Sequence, residues 1–372
     1  MKSKRIGVLT YTNTTNYGAI LQSIALKRVI EGFNYECDII NYSCEAVKKR
    51  ERLLNNEQLI SAKTVAKNLT LLPINIIKKI KISSFIKGNN IQTEKQYNRE
   101  TIKATTEQYD TYIVGSDQVW NPKLNGNDLT YMLNFVDKCK KISYAASIGN
   151  CDLIEQHMDY YDNYIKKFDH IGIREKKSCE VINDTFDVKA SFTLDPTMLI
   201  EKKEWLKISN YNSNRRKTKR NYLLLYFIHN GEKTFSKARY IAHELGYDII
   251  YLNNYGRPVR GMKNIYSVTP YDFINYINDA KLIITGSFHG IAFSINQNKQ
   301  FLVELANNKN NVNERIQNLI DIFSLNNAIN DLDEKKFSHN PKAYNIDYRN
   351  INKNLNKCRK QSLKLLEEWL EK

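Results

Sequence analysis

The segment RIGVLTYTNTTNYGAILQSIALKRVIEGFNYECDIINY, residues 5–42, decides the fold class. It begins with a short apolar run, and the stretch TNTTNYG, rich in Asn and Thr, then predicts a turn. The apolar residues that follow have helical spacing: Ile20, Leu21, Ile24, Ala25 and Val29. Gly32 ends this helix, and CDIINY is typical of a second strand. A strand, a helix and another strand in succession predict a βαβ unit, and therefore a parallel sheet.

Two series of such units follow along the chain. The first adds apolar strands at 109–117, 141–149 and 168–175. After a basic, polar stretch at 210–221, the second predicts strands at 222–228, 247–252, 281–286 and 300–305, with helices near 234–245 and 271–279. We therefore expect an α/β protein of two doubly wound, Rossmann-like domains facing a cleft. The predicted domains are 1–210, with an insertion at about 45–105, and 211–345, followed by a C-terminal helix within 346–372 that packs on or across them.

Composition narrows the functional class. The 372 residues are 42% hydrophobic and 26% charged, which suits two globular domains. No apolar run approaches the roughly 20 residues of a membrane-spanning helix, and the apolar part of the N-terminus is too short for a signal peptide, so a cytoplasmic location is expected. The six cysteines form no C-x-x-C pair, which argues against a zinc site or a disulfide framework and leaves a catalytic thiol as a minor alternative.

The net charge of +16 predicts an anionic partner, whether nucleic acid, a lipid surface or a charged small substrate. Nucleic acid is disfavoured because no RNP-like or zinc-finger pattern occurs. Residues 58–93 contain no acidic side chain, and their lysines alternate with apolar residues. Two interpretations stay open: a basic amphipathic patch on an anionic membrane, or a helical excursion packed on the first domain with a solvated lysine face.

Polar residues directly follow several of the predicted strands. Because the carboxyl ends of parallel strands face the ligand crevice, these positions are the natural place for a site. In GSFHG, residues 286–290, Ser287 can cap a helix that begins near Phe288, and His289 then lies in the first turn, where backbone N–H groups favour an anion. Gly286 and Gly290 would let a ligand approach the backbone. A structural, hydrogen-bonded histidine is the alternative.

Three further strand ends carry charged residues. Asp117 is a candidate acid, base or hydroxyl-binding carboxylate, or else the cap of a following helix. Arg174 could bind a carboxylate or phosphate, or else form a surface ion pair with Glu175 or Glu180. Asp195 precedes Pro196 and is expected mainly to shape that turn.

Several enzyme classes lose support because their motifs are missing from the sequence. It contains no G-x-G-x-x-G, no P-loop, no H-E-x-x-H and no G-x-S-x-G. A nicotinamide enzyme, a P-loop kinase and a serine hydrolase of the G-x-S-x-G type are disfavoured. We predict no metal site, since no ligand cluster is visible.

Six blocks taken together resemble the polysaccharide pyruvyl transferase family. They occur in the family's order and span about residues 5–320: NYGAILQSIAL at 16–26, YDTYIVGSDQVWNP at 109–122, ISYAASIG at 142–149, IGIREKKS at 171–178, TLDPTMLI at 193–200 and LIITGSFHGIAFSI at 282–295. The resemblance implies a fold similar to GT-B glycosyltransferases. It also implies transfer of a pyruvyl group from phosphoenolpyruvate to two hydroxyls of one sugar, with no other cofactor. The product would be a pyruvate ketal on a surface-polysaccharide precursor, expected to be lipid-linked and at the inner face of the membrane.

The resemblance also assigns roles to residues. His289 and Asp117 would be catalytic, and the first domain would bind the acceptor through Asn16, Tyr17, Ser116 and Gln118. The donor would meet Arg174, Ser287, Gly290 and Arg315. Arg315 is included as a candidate replacement cation, because many family members have R-x-H-G at the histidine, whereas this chain has Ser287 in place of that arginine.

Two other functions stay open at this stage. One is a nucleotide-sugar glycosyltransferase of the same architecture, although no acidic ribose clamp is visible in the second domain. The other is a non-catalytic sugar- or membrane-binding module of a polysaccharide assembly complex, to which the missing arginine lends weight.

Overall fold

A computed structural model describes residues 4–51, 62–213, 220–228, 232–253, 257–304, 314–328 and 345–371. The chain divides into two compact units. The first comprises Met1–Asn55, Ser83–Ile200 and Asn356–Lys372, and the second comprises Asn56–Ile82 and Glu201–Leu355. The division between the two long segments therefore falls at Ile200, ten residues before the predicted boundary at 210. Half of the basic, polar stretch at 210–221, residues 214–219, lies outside the described residues.

The first unit is built on a six-stranded sheet. Its strands are β1 (Arg5–Leu9), β2 (Glu36–Ile39), β3 (Thr111–Val114), β4 (Lys140–Ala146), β5 (His170–Ile173) and β6 (Ala190–Phe192). They lie in the order β2-β1-β3-β4-β5-β6, and every neighbouring pair is parallel. The predicted βαβ unit at the N-terminus is confirmed. From β1 the chain passes to β2 on one side, and it then crosses to β3 on the other side of β1. The topological switch point, where parallel sheets bind ligands, therefore lies between β1 and β3.

The helices of the first unit follow their strands. They are α1 (Tyr17–Gly32), α2 (Glu45–Arg50), α4 (Pro122–Asn125), α5 (Asp152–Gln156), α6 (Met158–Ile165) and α7 (Lys176–Phe186). Helix α3 (Ala62–Gly88) fills much of the predicted insertion, but its residues up to Ile82 belong to the second unit and only those from Ser83 onward to the first. The strands are almost wholly buried, as expected for a parallel sheet covered on both faces.

The second unit repeats this design with five strands. These are β7 (Tyr222–Tyr226), β8 (Asp248–Leu252), β9 (Lys263–Ile265), β10 (Leu282–Thr285) and β11 (Phe301–Val303), in the order β11-β10-β7-β8-β9 and again all parallel. Its helices are α8 (Lys202–Ile208), α9 (Glu232–Leu245), α10 (Pro270–Asp279), α11 (Phe288–Asn296) and α12 (Glu314–Phe323). The four strands and two helices predicted here are confirmed, and β9 is additional.

The last helix, α13 (Tyr348–Glu371), lies within the predicted range of 346–372. Its residues are assigned to both units, with Leu355 the last in the second and Asn356 the first in the first. Within the first unit, the Arg359 side chain donates to the carbonyl of Met198 at 2.8 Å, and the Ser362 hydroxyl accepts from the Leu194 amide at 3.0 Å. The C-terminal half of α13 thereby contacts the chain that leaves β6.

Candidate functional site

Four neighbouring strands of the first unit end at one group of charged and hydroxyl side chains. The residues concerned directly follow the strands: Ser116 and Asp117 after β3, Ser147 after β4, Arg174 and Glu175 after β5, and Asp195 two residues after Thr193, beyond β6. We call Asp117, Arg174, Glu175 and Asp195 the strand-end cluster. All four residues are buried, with Asp117 the most exposed at 7%.

Arg174 lies at the centre of this cluster. Its Nε donates to Glu175 Oε1 and its Nη1 to Asp195 Oδ2, each at 3.1 Å, while Nη2 lies 4.0 Å from Asp117 Oδ1. Only 1% of the residue is exposed. The guanidinium is therefore held by carboxylates of its own chain, and this geometry gives no support to its predicted contact with the donor. The alternative, an ion pair with Glu175, is observed, but the pair is buried and not at the surface as expected.

Three carboxylates face this one guanidinium, so the cluster has a formal charge of −2. Burial lowers the pKa of Arg174, but the neighbouring Glu175, Asp195 and Asp117 raise it by more, and the net shift is upward. Arg174 is therefore charged at neutral pH. A cluster with excess negative charge repels an anion and suits a neutral ligand with hydroxyl groups to donate.

Two serine hydroxyl groups donate hydrogen bonds to carboxylates of the strand-end cluster. Ser116 Oγ donates to Asp195 Oδ2 at 2.8 Å, and Ser147 Oγ donates to Glu175 Oε1 at 2.7 Å. Asp195 also caps the 3-10 turn Pro196–Met198 by accepting from the amide of Thr197, which confirms its expected role in that turn. The sequence predicted mainly a turn-shaping role for Asp195, and it singled out neither Ser147 nor Glu175 as an individual site residue.

Asp117 has an unusual backbone conformation. Its φ of 74° is in the left-handed region, which a non-glycine residue adopts at a cost and often at functional sites. The turn is fixed on both sides, because the Ser147 amide donates to the Asp117 carbonyl at 2.9 Å and Asp117 Oδ1 accepts from the Gln118 amide at 2.9 Å. No helix begins directly after Asp117 in this described stretch, so the alternative that it caps one is wrong.

The loops after β1 and β3 meet beside Asp117. Thr10 donates its hydroxyl to the Ser116 carbonyl at 2.8 Å, and the Tyr11 hydroxyl donates to the Gln118 carbonyl at 3.1 Å. Asn16 caps α1 by accepting from the Gly18 amide at 3.0 Å. The structure thus brings these two loops together at the switch point of the sheet.

The four predicted acceptor residues differ in what they offer a ligand. Asn16 and Gln118 are half-buried, whereas Tyr17 and Ser116 are buried and the Ser116 hydroxyl already donates to Asp195. A set of amides was missed by the sequence analysis: Asn13 donates to Asn41 at 3.0 Å, and Gln96 donates to the same oxygen at 3.2 Å. Amides scattered through a sequence give no signal until folding brings them together.

In the second unit, the turn from β10 into α11 matches the prediction closely. Ser287 is the N-cap of α11, its side chain accepts from the Gly290 amide, and His289 lies in the first turn. The Ser287 amide donates to Thr285 Oγ1 at 3.1 Å, and that hydroxyl donates to the Tyr226 carbonyl at 2.6 Å. The helix entrance is thereby tied to the ends of β7 and β10.

Gly286 and Gly290, the two glycines of this turn, are closely packed by neighbouring atoms of the protein. A Cβ at Gly286 would lie 2.7 Å from the Glu304 carbonyl oxygen, and one at Gly290 would lie 2.4 Å from Thr285 Oγ1. The protein itself fills the space beside each glycine, and the Gly290 amide already donates to Ser287. Packing therefore explains why both positions are glycine, and this geometry gives no support to the expectation that they make room for a ligand.

His289 and Arg315 occupy different environments. His289 is only 2% exposed and its ring stands edge-on to Phe288 at 5.1 Å between centroids. Arg315 is half-buried in the first turn of α12, a helix that packs against α11. Both predicted donor-side residues thus belong to adjoining helices of the second unit.

Other chemistries receive little support from the described part of the chain. No group of three or more metal-ligating side chains occurs within it. Burial raises the pKa of the Cys44 and Cys179 thiols to about 11, which keeps them protonated near neutral pH and unsuited to nucleophilic catalysis. No helix among these residues is both long and apolar enough to cross a membrane.

Solved structures share the fold. A UDP-GlcNAc 2-epimerase from Methanocaldococcus jannaschii is 14% identical over 93% of each chain, with a TM-score of 0.53. The UDP-GlcNAc 2-epimerase from Neisseria meningitidis, solved with UDP-GlcNAc bound, is 12% identical over 99% of each chain, also with a TM-score of 0.53. At such low identity the likeness shows the fold alone, which is GT-B. A comparison with curated proteins gives no match.

A family model gives the more specific result. The model described as polysaccharide pyruvyl transferase matches residues 16–304, more than three quarters of the chain. The matched range begins at the cap of α1, ends just after β11, and contains the strand-end cluster and the entrance to α11. The chain belongs to the polysaccharide pyruvyl transferase family.

Proposed function

We propose that this protein transfers the pyruvyl group of phosphoenolpyruvate to two hydroxyls of one sugar in a surface-polysaccharide precursor. In the balanced reaction, a proton adds to the methylene carbon of the donor and a sugar hydroxyl attacks the adjacent carbon, losing its proton. The bond from that carbon to the phosphate oxygen then breaks, and the second hydroxyl closes the ketal. The products are the ketal, with its new methyl group, and hydrogen phosphate.

The observation that carries this proposal is the contrast in charge between the two candidate sites. The strand-end cluster of the first unit has a formal charge of −2, which disfavours a donor bearing about three negative charges and suits a neutral sugar. In the second unit, the N-terminus of α11 offers partial positive charge, and Arg315 lies in the first turn of the adjoining helix α12. We therefore assign acceptor binding to the first unit and donor binding to the second.

Within this scheme Asp117 is the base for an acceptor hydroxyl. It is the most exposed carboxylate of the cluster, and its left-handed backbone and contact with the Gln118 amide fix its direction. Arg174 becomes a positioning residue: it binds Glu175 and Asp195 and stands 4.0 Å from Asp117. His289, in the first turn of α11, is proposed as the acid that protonates the donor.

The test is phosphate release from phosphoenolpyruvate in the presence of galactose-type or N-acetylhexosamine-type acceptors, free and lipid-linked. We expect acceptor-dependent turnover that falls by roughly 10²–10⁴ in Asp117→Asn and in His289→Gln. Arg239→Gln, at an exposed site on α9, is the control and should retain full activity. If none of these acceptors supported turnover, the proposed reaction would be rejected.

The same protein preparation separates the two other functions. UDP or GDP sugars that raise the melting temperature, where phosphoenolpyruvate does not, would indicate a nucleotide-sugar glycosyltransferase. Full retention of acceptor binding in a protein without any turnover would indicate a non-catalytic module, the function that Ser287 in place of arginine first suggested.

A further inference from the structure

We propose that the exposed face of α3 docks on an anionic lipid surface. This inference goes beyond the transfer reaction, and it rests on the side chains of α3 that the structure describes, from Leu72 to Gly88. Ile76, Ile77 and Ile80 are among the few large apolar residues exposed to solvent in the described chain, at 37%, 57% and 60%. We call these three residues the isoleucine strip.

The isoleucine strip lies on the side of the helix away from its packed face. Residues one turn apart share a face of a helix, which groups Ile76 with Ile80 and places Ile77 beside them. The buried residues Ile82, Phe85 and Ile86 occupy the opposite side. The helix is therefore already fixed to the protein by one apolar side and presents a second apolar side to solvent.

Charge indicates what kind of surface would cover the strip. Lys79 and Lys81 flank it on either side, and Lys87 continues the same face toward the end of the helix. No acidic residue occurs anywhere in 58–93, so the segment itself supplies no carboxylate to neutralise these lysines; Lys81 Nζ donates to the Ser267 carbonyl at 3.2 Å. Isoleucines flanked by lysines match the boundary between anionic headgroups and acyl chains, where apolar side chains insert and lysines meet phosphate.

The geometry favours a helix lying on the membrane over one crossing it. No helix among the described residues meets the criteria for a membrane span. A lipid-linked acceptor would be delivered at such a surface, although the docking proposal stands without the assignment of the reaction. An interface between two copies of the chain is the competing occupant, and the lysines on both copies disfavour it.

The experiment is co-flotation of the full chain with phosphatidylcholine vesicles, alone or containing phosphatidylglycerol. We expect binding to the anionic vesicles only, weakened as salt rises. Ile76→Gln/Ile77→Gln/Ile80→Gln should weaken it by about tenfold or more, since glutamine keeps helix propensity and removes the inserted apolar surface. Lys79→Gln/Lys87→Gln should weaken it roughly thirty-fold, from the attraction of two lysines to an anionic leaflet.

Matched controls exclude general effects of polarity and charge. Met158→Gln removes another exposed apolar side chain, and Lys353→Gln/Lys360→Gln removes the same charge from the exposed side of α13. Both should bind vesicles as the parent does, and thermal melts should show that every variant folds. Should the triple variant fail to fold, the lysine pair carries the test.

Three results would overturn the proposal: no vesicle binding by the parent, equal binding to neutral and anionic vesicles, or equal loss in the control variants. A fourth would be light scattering that shows a dimer dissociated by the isoleucine substitutions while vesicle binding is unchanged. That outcome would assign the strip to contact between copies of the chain.

Discussion

Replacing Arg174 by methionine tests whether the guanidinium holds the first unit together or binds substrate. Methionine retains much of the side-chain volume and removes the charge. At an effective dielectric of about 20, the attraction across each 3.1 Å contact with Glu175 and Asp195 is about 5 kcal/mol, and that across 4.0 Å to Asp117 is about 4 kcal/mol. Desolvation of the buried ions offsets most of this attraction, but the variant keeps the desolvated carboxylates and loses their partner.

The expected loss in unfolding free energy is therefore that of breaking a buried pair, about 3–5 kcal/mol. It should be measured by urea unfolding of the full chain, following both circular dichroism and tryptophan fluorescence, because two units can unfold in separate transitions. Adding Asp195→Asn should recover part of the loss, since it removes one uncompensated charge, so the two substitutions should be strongly non-additive.

Arg5→Met is the matched control. Arg5 also contacts two carboxylates, Glu36 at 3.5 Å and Asp38 at 3.0 Å, but its side chain is 41% exposed. Solvent screening makes such a pair worth about 1 kcal/mol or less. If Arg174→Met were no more destabilising than Arg5→Met, and instead raised the Michaelis constant for phosphoenolpyruvate, the positioning role would be rejected in favour of donor binding.

Two further predictions concern packing and pH. Gly290→Ala should lower the free energy of unfolding by about 1–3 kcal/mol, because the new Cβ would meet Thr285 Oγ1, and that hydroxyl cannot turn away without losing its hydrogen bond to the Tyr226 carbonyl. Adding Thr285→Ala should relieve the clash. The control is Gly32→Ala, whose Cβ would have no atom within 4 Å and which should cause no loss of stability. An equal effect at both glycines would refute this account. Alkylation of Cys179 by iodoacetamide, followed by mass spectrometry, should be slow at pH 8 and accelerate toward pH 11, since burial raises the pKa of this thiol from 9.0 to about 11. The stability associated with that shift is complete below pH 9 and is lost as the pH rises through 11, whereas Cys179→Ala should lose less stability over this range. Rapid alkylation of the folded protein at pH 8 would contradict the assignment.

Much of the fold could be read from the sequence because its signals are local. The apolar runs of β1, β7 and β10 and the helical spacing in α1 predicted the parallel sheets, and Ser287 marked the start of α11. The strands that were missed, β6 and β9, have only three residues each and owe their extended shape to the strands beside them. A segment that short has no period to detect, and β11, equally short, was predicted only because all three of its residues are apolar, whereas β6 and β9 mix polar with apolar residues.

The candidate site was only partly predictable. Asp117, Arg174 and His289 could be selected because each follows an apolar run, but of their partners only Glu175, next to Arg174 in the chain, could be named. Ser116 and Asp195 are 79 residues apart and share a hydrogen bond. The sign of the charge around Arg174 therefore could not be inferred from the sequence. Without that sign, the sequence could not decide whether Arg174 binds an anion or positions a carboxylate.

The sequence by itself determined two parallel α/β units, the family, and the helix entrance at Ser287, because strand period, capping chemistry and motif order all lie within short stretches of chain. Only the tertiary structure decided that Arg174 is enclosed by three carboxylates, that Gly290 serves packing, and that Ile76, Ile77 and Ile80 face solvent. Burial and charge balance depend on which distant residues meet, and the alignment of neighbouring strands fixes those meetings.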